Sequence, residues 1–490
     1  MLAGVVQGEG RRGAQARLYG ALRAAILEGR LPPGARLPAS RALAQEAGVA
    51  RQTVVQVYER LVDEGYASAR VGAGTFVAPG LPAARAGPLP PLLPPPPALP
   101  DAPPPPGGSA WARRALAAPR EPWAADRPAF DFRPGVPDWE IFPHVRWRRL
   151  LARRWREAGR SPALERYGDP AGYWPLREAL AGYLTRSRGL RCTPEQVVVV
   201  SGSQQALDLL ARVGLDPGDA AALEEPGYPP ARAVLQAAGA RLVPLAVDDG
   251  GLVTRLAGLT PRLLYVTPSH QYPTGATLSL TRRLQLLEWA AGAGTLVVED
   301  DYDSELRYAG PPLPALQGLD RRGCVAYVGS CSSVLFPPLR VGWIVAPPAL
   351  VAPLVAAKWL ADRQTPTLDQ QVLTDFITGG HLTRHLRRAR ALYGARRAAL
   401  VGAVARDLPA CRLGGEAAGL QTPLYLPPGA AESAVVRAAG ARGVGVYPLG
   451  PCYGAGPGPP GLLLGYCALA EPAIAEGVRR LALALEESER

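Results

Sequence analysis

Four short groups of polar residues, each directly after an apolar run, contain side chains that could bind a phosphate or pair with a cation. They occupy positions 201–205, 269–274, 300–303 and 330–333. Ser203 and Gln204 open a predicted helix, where free N–H groups favour a phosphate, although serine is also a common helix cap. Acidic runs are usually solvated, but the run Glu299-Asp300-Asp301 directly follows a Val-Val strand. One carboxylate of that run is therefore expected to face inward and to need a cation.

The apolar runs before these groups predict buried strands. They read VVVVSG at 197–202, LLYVTP at 263–268, TLVVED at 295–300 and VAYVGS at 325–330. Helical or loop segments separate them, and the helix after the first run places Leu207, Leu210 and Val213 inward. This alternation predicts an α/β body with a mostly parallel sheet, whose ligands gather at the carboxyl ends of the strands.

Composition places the chain among globular proteins of several domains. Its 490 residues are 48% apolar and 20% charged, and the net charge of +12 suggests an anionic partner. No apolar run approaches the roughly 18 residues of a membrane span, and the apolar stretch near the N-terminus precedes its arginines, unlike a signal peptide. The six scattered cysteines indicate reduced thiols, without a disulfide framework or a metal site. We therefore expect a cytoplasmic protein that does not associate with a membrane.

A proline-rich segment divides the chain. Residues 79–108 include 14 prolines, which lack N–H donors and have a fixed φ. Such a segment favours a polyproline II spacer of up to about 90 Å; a docking site for an SH3-like partner is the less favoured interpretation. We assign residues 1–78 to a head, 79–127 to a linker and 128–490 to a body.

The head has the pattern of a winged helix-turn-helix. Leu18, Leu22 and Ile26 form one helical stripe, a second helix is expected to start at Ser40 as its N-cap, and a third follows Gly48. Two short strands around a glycine-rich turn end the head at 70–77. A helix N-terminus in the major groove would let Arg51 meet a guanine through two hydrogen bonds. Ten arginines against six acidic residues support an anionic partner, although a protein-binding module would show the same pattern.

The run LPASRALAQEAGVARQTVVQVYERLVDEGY followed by RVGAGTFVA closely resembles the DNA-binding domain of the GntR family of bacterial regulators. The resemblance implies contact with a double-stranded DNA operator through eight residues of the helix-turn-helix and the wing. They are Arg36, Ser40, Arg41, Arg51, Gln52, Thr53, Gly72 and Gly74.

The body resembles the fold-type-I aminotransferase domain, and its fusion to the head resembles the MocR class of regulators. The motifs, in chain order, are FRPGVPDWEIFP, YGDPAGYWPLREAL, EEPGYP, HQYPTG, EDDYDSELRY, GSCSSVLFPPLRVGW and LADRQTPTLDQ. The resemblance implies a pyridoxal 5′-phosphate pocket. Ser203, Gln204, Ser330 and Arg340 would hold the phosphate, Tyr228 would lie near the pyridine ring, Asp300 would pair with the ring nitrogen, Tyr302 would contact the ring hydroxyl, and His270 and Tyr272 would line the pocket.

The sequence departs from that family at the residue that performs the chemistry. The motif reads Gly-Ser-x-Ser-Lys in such proteins, and its lysine forms the Schiff base with the cofactor; here Ser333 occupies the lysine's place. A hydroxyl forms no imine and cannot shuttle a proton as an amine does. The chain's one lysine, Lys358, lies in VAPLVAAKWL and is expected on a helix surface. The late strand at 461–469 also lacks the arginine that clamps a substrate carboxylate, and Gln421 stands where histidine is common.

These observations predict a DNA-binding transcription regulator that has no catalytic lysine and no transaminase activity. Its aminotransferase-like body would sense a small molecule, either pyridoxal phosphate held non-covalently or an amine or amino acid derivative. The resemblance also implies a homodimer. Two alternatives stay open: a class I/II aminotransferase that carries a DNA-binding head, and a body that serves only as a dimer scaffold or senses another ligand.

Overall fold

A computed structural model describes residues 14–70, 73–79, 108–118, 128–160, 164, 166–310 and 314–488. The chain divides into two compact units, Met1–Pro105 and Pro106–Arg490. The proline-rich residues 80–107 and Gly72 lie outside the described residues. None of the described helices combines the length and apolar character that a membrane crossing requires.

The first unit has the helix, helix-turn-helix and hairpin order that the sequence predicts. Its elements are α1 Ala14–Leu27, α2 Ser40–Ala47, α3 Arg51–Asp63, β1 Ala67–Arg70 and β2 Gly74–Val77. The α1 stripe is buried, as are Val54, Val57 and Leu61 on α3, so that the three helices and the hairpin share one small core. Gly48 ends α2 in the left-handed conformation, which makes the sharp turn into α3.

Ser40 is not the N-cap that the sequence suggested. It is the first residue of α2, Ala39 precedes it as the cap, and no side-chain hydrogen bond closes that end. The Ser40 hydroxyl instead accepts a hydrogen bond from Arg51 Nε at 3.4 Å. A serine hydroxyl at the first helical position cannot reach back as a cap does, because its own residue is already helical.

The second unit contains helices α4 to α15. They are α4 Ala110–Ala117, α5 His144–Glu157, α6 Trp174–Arg188, α7 Ser203–Gly214, α8 Pro229–Ala238, α9 Leu280–Ala293, α10 Leu316–Leu319, α11 Pro348–Asp362, α12 Thr367–Thr378, α13 His381–Asp407, α14 Glu432–Ala441 and α15 Glu471–Ser488. Helix α4 falls within the segment that we assigned to the linker. It packs against α8, and Arg114 Nε donates to the carbonyl oxygen of Ala237 at 3.0 Å.

Strands β3 to β16 belong to the same unit. They are β3 Phe130–Asp131, β4 Val197–Val200, β5 Ala220–Glu225, β6 Arg241–Asp248, β7 Gly251–Leu252, β8 Leu263–Val266, β9 Leu296–Asp301, β10 Val325–Ser330, β11 Gly342–Val345, β12 Arg412–Leu413, β13 Gln421–Tyr425, β14 Val444–Gly445, β15 Tyr447–Pro448 and β16 Gly461–Gly465.

The large sheet has the strand order β4-β11-β10-β9-β8-β5-β6-β7. The neighbours from β10 to β6 are parallel, whereas β11 runs antiparallel to both β10 and β4. All four valines of β4 are fully buried, as expected for a strand covered on both faces. A smaller antiparallel sheet, β12-β13-β16-β15, follows in the C-terminal part of the chain. This architecture confirms the predicted α/β body with a mostly parallel large sheet.

Candidate cofactor pocket and nucleic-acid interface

The strand-end residues meet because neighbouring strands end at the same edge of the large sheet. Asp300 on β9 pairs in register with Val328 on β10, so Asp300 and Ser330 lie on the same face. Ser330 pairs with Gly342 on β11, and Gly342 pairs with Val200 at the end of β4. The edge therefore brings the carboxylate of Asp300, the hydroxyl of Ser330 and the turn after β4 into one neighbourhood.

The turn between β4 and α7 has the geometry of an anion cradle. Gly202 precedes α7 with a φ of 93°, and Ser203 and Gln204 are the first two residues of that helix. The first turn of a helix presents N–H groups without intrahelical partners. Arg340 lies directly beside this turn: a Cβ at Gly202 would come within 2.9 Å of its Nη1, and its Nη2 donates to the carbonyl oxygen of Ser201. Glycine at 202 is therefore required by the backbone angle, and a Cβ there would displace the Arg340 guanidinium.

Asp300 offers one carboxylate oxygen that has no partner. The side chain is buried, with 4% of the residue exposed, and its Oδ2 accepts a 2.8 Å hydrogen bond from the hydroxyl of Tyr265. Its Oδ1 is buried and has no hydrogen-bond partner among the described residues. Burial raises the pKa of Asp300 to about 7, the main opposing effect being the bond from Tyr265. A cationic N–H donor at Oδ1 would satisfy this oxygen and lower that pKa.

The other carboxylates of the acidic run point to the opposite face of the sheet, because side chains alternate along a strand. Asp301 accepts hydrogen bonds from Arg188 Nε at 2.8 Å and from the hydroxyl of Tyr327 at 2.7 Å. Glu299 accepts from the backbone N–H groups of Leu316 and Gln317. The prediction that an inward carboxylate of this run needs a cation is thus met at Asp301 by Arg188, which the sequence pattern did not identify.

An aromatic and imidazole wall borders Asp300. The rings of Tyr228 and Tyr272 meet edge to face with centroids 5.1 Å apart, and those of Tyr272 and Tyr302 are 6.2 Å apart. His270 Nδ1 lies 3.0 Å from both carboxylate oxygens of Asp303 and 3.1 Å from the Tyr302 hydroxyl. Residues 269–274 and 300–303 therefore lie against each other, as expected for segments that follow the neighbouring strands β8 and β9.

Ser333 brings no amine to this pocket. It follows β10 in a short buried segment, with 8% of the residue exposed. The chain's one lysine is on α11, and the prediction that it lies on the surface is wrong. Lys358 is 0% exposed, and its Nζ pairs with Asp362 one helical turn later. It is buried because α11 packs against α7 and β4, contacts that the local sequence does not reveal.

The residues fit part of pyridoxal 5′-phosphate. The turn at 202–204 with Arg340 suits its phosphate, and the open oxygen of Asp300 suits its protonated ring nitrogen. Covalent attachment has no donor, because Ser333 carries a hydroxyl. Tyr265, the residue that sequence reasoning missed here, fixes the second oxygen of Asp300. Its inward position could have been found from strand alternation, since it is in register with Val298, two residues before Asp300.

The DNA-contact candidates form two small groups in the first unit. Arg51, Gln52 and Thr53 are the first three residues of α3, and Arg51 contacts Ser40 on α2. The side chain of Arg36 lies against the wing, where a Cβ at Gly74 would come within 3.1 Å of its Nε. The guanidinium-bearing candidates Arg36, Arg41 and Arg51 are all exposed. Long donors at an exposed helix N-terminus can reach base edges in a major groove.

Comparisons with known proteins assign a family to the sequence of each unit. The family model described as "Bacterial regulatory proteins, gntR family" matches residues 14–77, and "Aminotransferase class I and II" matches residues 141–436. The chain is 39% identical over 477 residues to the probable rhizopine catabolism regulatory protein MocR of Rhizobium meliloti, with 96% of this chain and 94% of the relative covered. The regulator TauR of Rhodobacter capsulatus is 37% identical over 406 residues, covering 81% and 80%.

A solved structure shares the fold of the second unit. It is LysN, the α-aminoadipate aminotransferase of Thermus thermophilus, in complex with N-(5′-phosphopyridoxyl)-L-leucine. The sequence identity is 34% and the TM-score 0.69, with 78% of this chain and 95% of LysN covered. With a helix-turn-helix head, an aminotransferase-fold body and relatives that match nearly the whole length, the chain belongs to the MocR type of GntR-family transcription regulators.

Proposed function

We propose that this protein is a transcription regulator that binds operator DNA through its head and senses a small molecule in its body without transaminating it. The observation that carries the proposal is the pocket itself: Asp300 keeps an open carboxylate oxygen, and Ser333 stands where an amine would be needed. Pyridoxal 5′-phosphate is the ligand class that this combination supports, bound non-covalently. When bound, that group would supply an electron-withdrawing ring and an aldehyde.

The chain's own residues supply binding and orientation. The N–H groups at the start of α7 and the Arg340 guanidinium would hold the phosphate, while Asp300 would accept a hydrogen bond from the ring nitrogen. Tyr265 keeps Asp300 in place, and Tyr228 and Tyr272 provide flat apolar surface beside the ring. The hydroxyl of Ser333 cannot take a proton from a substrate carbon as an amine would. The pocket would therefore hold its ligand, or an amine that condenses with it, and not turn it over.

The exposed arginines of α2, α3 and the wing support contact with DNA, since phosphates attract them and guanine accepts two bonds from one guanidinium. Reading chromosomal DNA would place the protein in the cytoplasm. An effector would change DNA binding only if it binds one arrangement of the regulator more tightly than another.

We also propose a homodimer, in which two heads read two half-sites. An exposed aromatic and aliphatic group on the body supports it. Tyr167 and Leu360 are each 76% exposed and Trp359 is 49% exposed, while the Arg363 guanidinium lies over both aromatic rings. Exposed apolar clusters of this kind mark interaction surfaces. Leu360→Asp should dissociate the dimer in analytical ultracentrifugation; an unchanged sedimentation coefficient would contradict this interface.

The decisive experiment combines a ligand titration with DNA selection. Equilibrium dialysis should show saturable binding of pyridoxal 5′-phosphate, and borohydride treatment should leave no cofactor attached to the wild-type protein. Selection from random duplexes should enrich a two-half-site sequence, and a gel shift on that duplex should respond to the ligand. Steady transfer of an amino group between an amino acid and an oxo acid would establish the aminotransferase alternative. If the protein does not bind the cofactor, the body would instead be a dimer scaffold or a sensor of another ligand.

A further inference from the structure

Lys358 stands out because it is a fully buried charge and the chain's one lysine. The other 53 of the 54 basic residues are arginines, and Lys358 is 0% exposed inside α11. Burying an ammonium is costly even when a carboxylate pairs with it. An apolar side chain of similar length would pack there at lower cost. The contacts of Lys358 therefore indicate what its charge does.

A chain of contacts leads from Lys358 to the turn that precedes α7. Lys358 Nζ pairs with Asp362 Oδ1, and Gln205 Nε2 donates to Asp362 Oδ2 at 2.8 Å. The Oε1 of the same Gln205 amide accepts from the backbone N–H of Ser201 at 2.8 Å. Each bond fixes the orientation of the next, since an amide that donates to a carboxylate must turn its oxygen the other way.

The turn is held from its other side by Arg340. Its guanidinium binds the carbonyl oxygen of Ser201, so both backbone groups of this residue are engaged by side chains. Gly202 then packs closely against Gly342, where a Cβ would come within 2.9 Å of the Gly202 Cα. The turn before Ser203 is therefore fixed by α11 and by the Arg340 segment together.

We propose that Lys358 is a positioning residue for the phosphate-binding turn, acting through Asp362 and Gln205 on the peptide group of Ser201. The ligand group that it serves is the phosphate monoester of a pyridoxal-type ligand, so the inference rests on the proposed function. Lysine suits the role because a compact ammonium presents its charge at one point, whereas a guanidinium needs a wider planar space. In this role Lys358 would not contact the ligand, and it would not replace the missing catalytic amine.

The competing explanation is that the Lys358–Asp362 pair only stabilises α11, as ion pairs one helical turn apart do. The two explanations predict different effects on ligand affinity. A stabilising pair would affect folding and leave ligand selectivity unchanged. A positioning pair would affect ligands that carry the phosphate and spare those that lack it, because the ring contacts at Asp300 lie on other strands.

The test measures the Kd of pyridoxal 5′-phosphate and of pyridoxal for the full-length wild type, Lys358→Met and Gln205→Leu. We expect both variants to lose about tenfold or more in affinity for the phosphorylated ligand, as for a disturbed hydrogen bond to a charged group, and less than about twofold for pyridoxal. The double variant should lose no more than the larger single loss, because both act through one path. Arg212→Met is the matched control, since Arg212 forms a more exposed ion pair with Asp208 on the same α7.

Equal losses for both ligands, or no loss for either, would overturn the inference while leaving the proposed function intact. If Lys358→Met does not fold, as judged by near-UV circular dichroism, Gln205→Leu decides the question by the same ratio. Failure of the wild type to bind pyridoxal 5′-phosphate would overturn the proposed function, and the inference with it.

Discussion

Replacing Asp300 by asparagine should stabilise the empty protein and weaken its ligand binding. The substitution keeps the shape and removes the charge, and the amide oxygen can still accept from Tyr265. The NH₂ group of the asparagine would then take the place of the open Oδ1. Opposite signs for stability and affinity make this a sharp test of the pocket.

The stability effect follows from the raised pKa of Asp300. Burial moves that pKa from 3.8 to about 7, a difference of roughly three units or about 4 kcal/mol at about 1.4 kcal/mol per unit, before relaxation of the site reduces it. Because the folded form holds the proton more tightly, stability falls as the pH rises from about 4 to about 7. At pH 8 the wild type therefore carries the full cost of the buried charge. Asp300→Asn removes it, and we expect a gain in unfolding free energy of about 1–3 kcal/mol.

The affinity effect follows from the lost ionic hydrogen bond. A bond to a charged group contributes about 1.5–3 kcal/mol, which corresponds to a loss in affinity of roughly 10- to 150-fold. Thermal unfolding at pH 8 without ligand and equilibrium dialysis with pyridoxal 5′-phosphate measure the two effects. Thermal midpoints of wild type and variant should converge toward pH 4. A lower midpoint at pH 8, or an unchanged Kd, would refute the reasoning about this carboxylate.

Three further substitutions test other parts of the molecule. Ser333→Lys should produce a visible absorption band with pyridoxal 5′-phosphate and a borohydride-stable adduct detected by mass spectrometry; without either, position 333 does not face the ligand. Arg51→Ala should reduce discrimination between the selected duplex and its single-base variants by about 1–3 kcal/mol, whereas Arg30→Ala, which removes an exposed pair with Glu28, should leave it unchanged. Gly202→Ala and Gly218→Ala both force a residue into positive φ, at about 1–3 kcal/mol, but only position 202 meets a guanidinium. Only Gly202→Ala should lose affinity for the phosphorylated ligand, and an equal loss in the control would contradict the assigned cradle.

The sequence predicted what depends on local pattern. Fully apolar runs such as 197–200 become central strands because a parallel sheet is covered on both faces. The polar residues after them lie near one another because these strands end at one edge, and the strand pattern is enough to predict that Asp300, Ser330 and Ser203 are neighbours.

Partners distant in sequence could not be predicted in the same way. Arg188 and Asp301 are 113 positions apart, and Gln205 and Asp362 are 157 apart. Lys358 was misplaced for the same reason, since a single charge in an apolar helix is typical of a solvated position unless a neighbouring helix covers it. Ser40 was misread because α2 begins at Ser40 itself, one residue earlier than a cap at that position would allow.

Helix α8 has both of its ends engaged. Tyr228, just before its first turn, meets the ring of Tyr272 in the pocket, and Ala237 near its end accepts the hydrogen bond from Arg114 of α4. Ten residues of helix span about 15 Å as a stiff rod. This rigid element therefore connects the ring of Tyr228 with α4, the first described helix after the proline-rich segment.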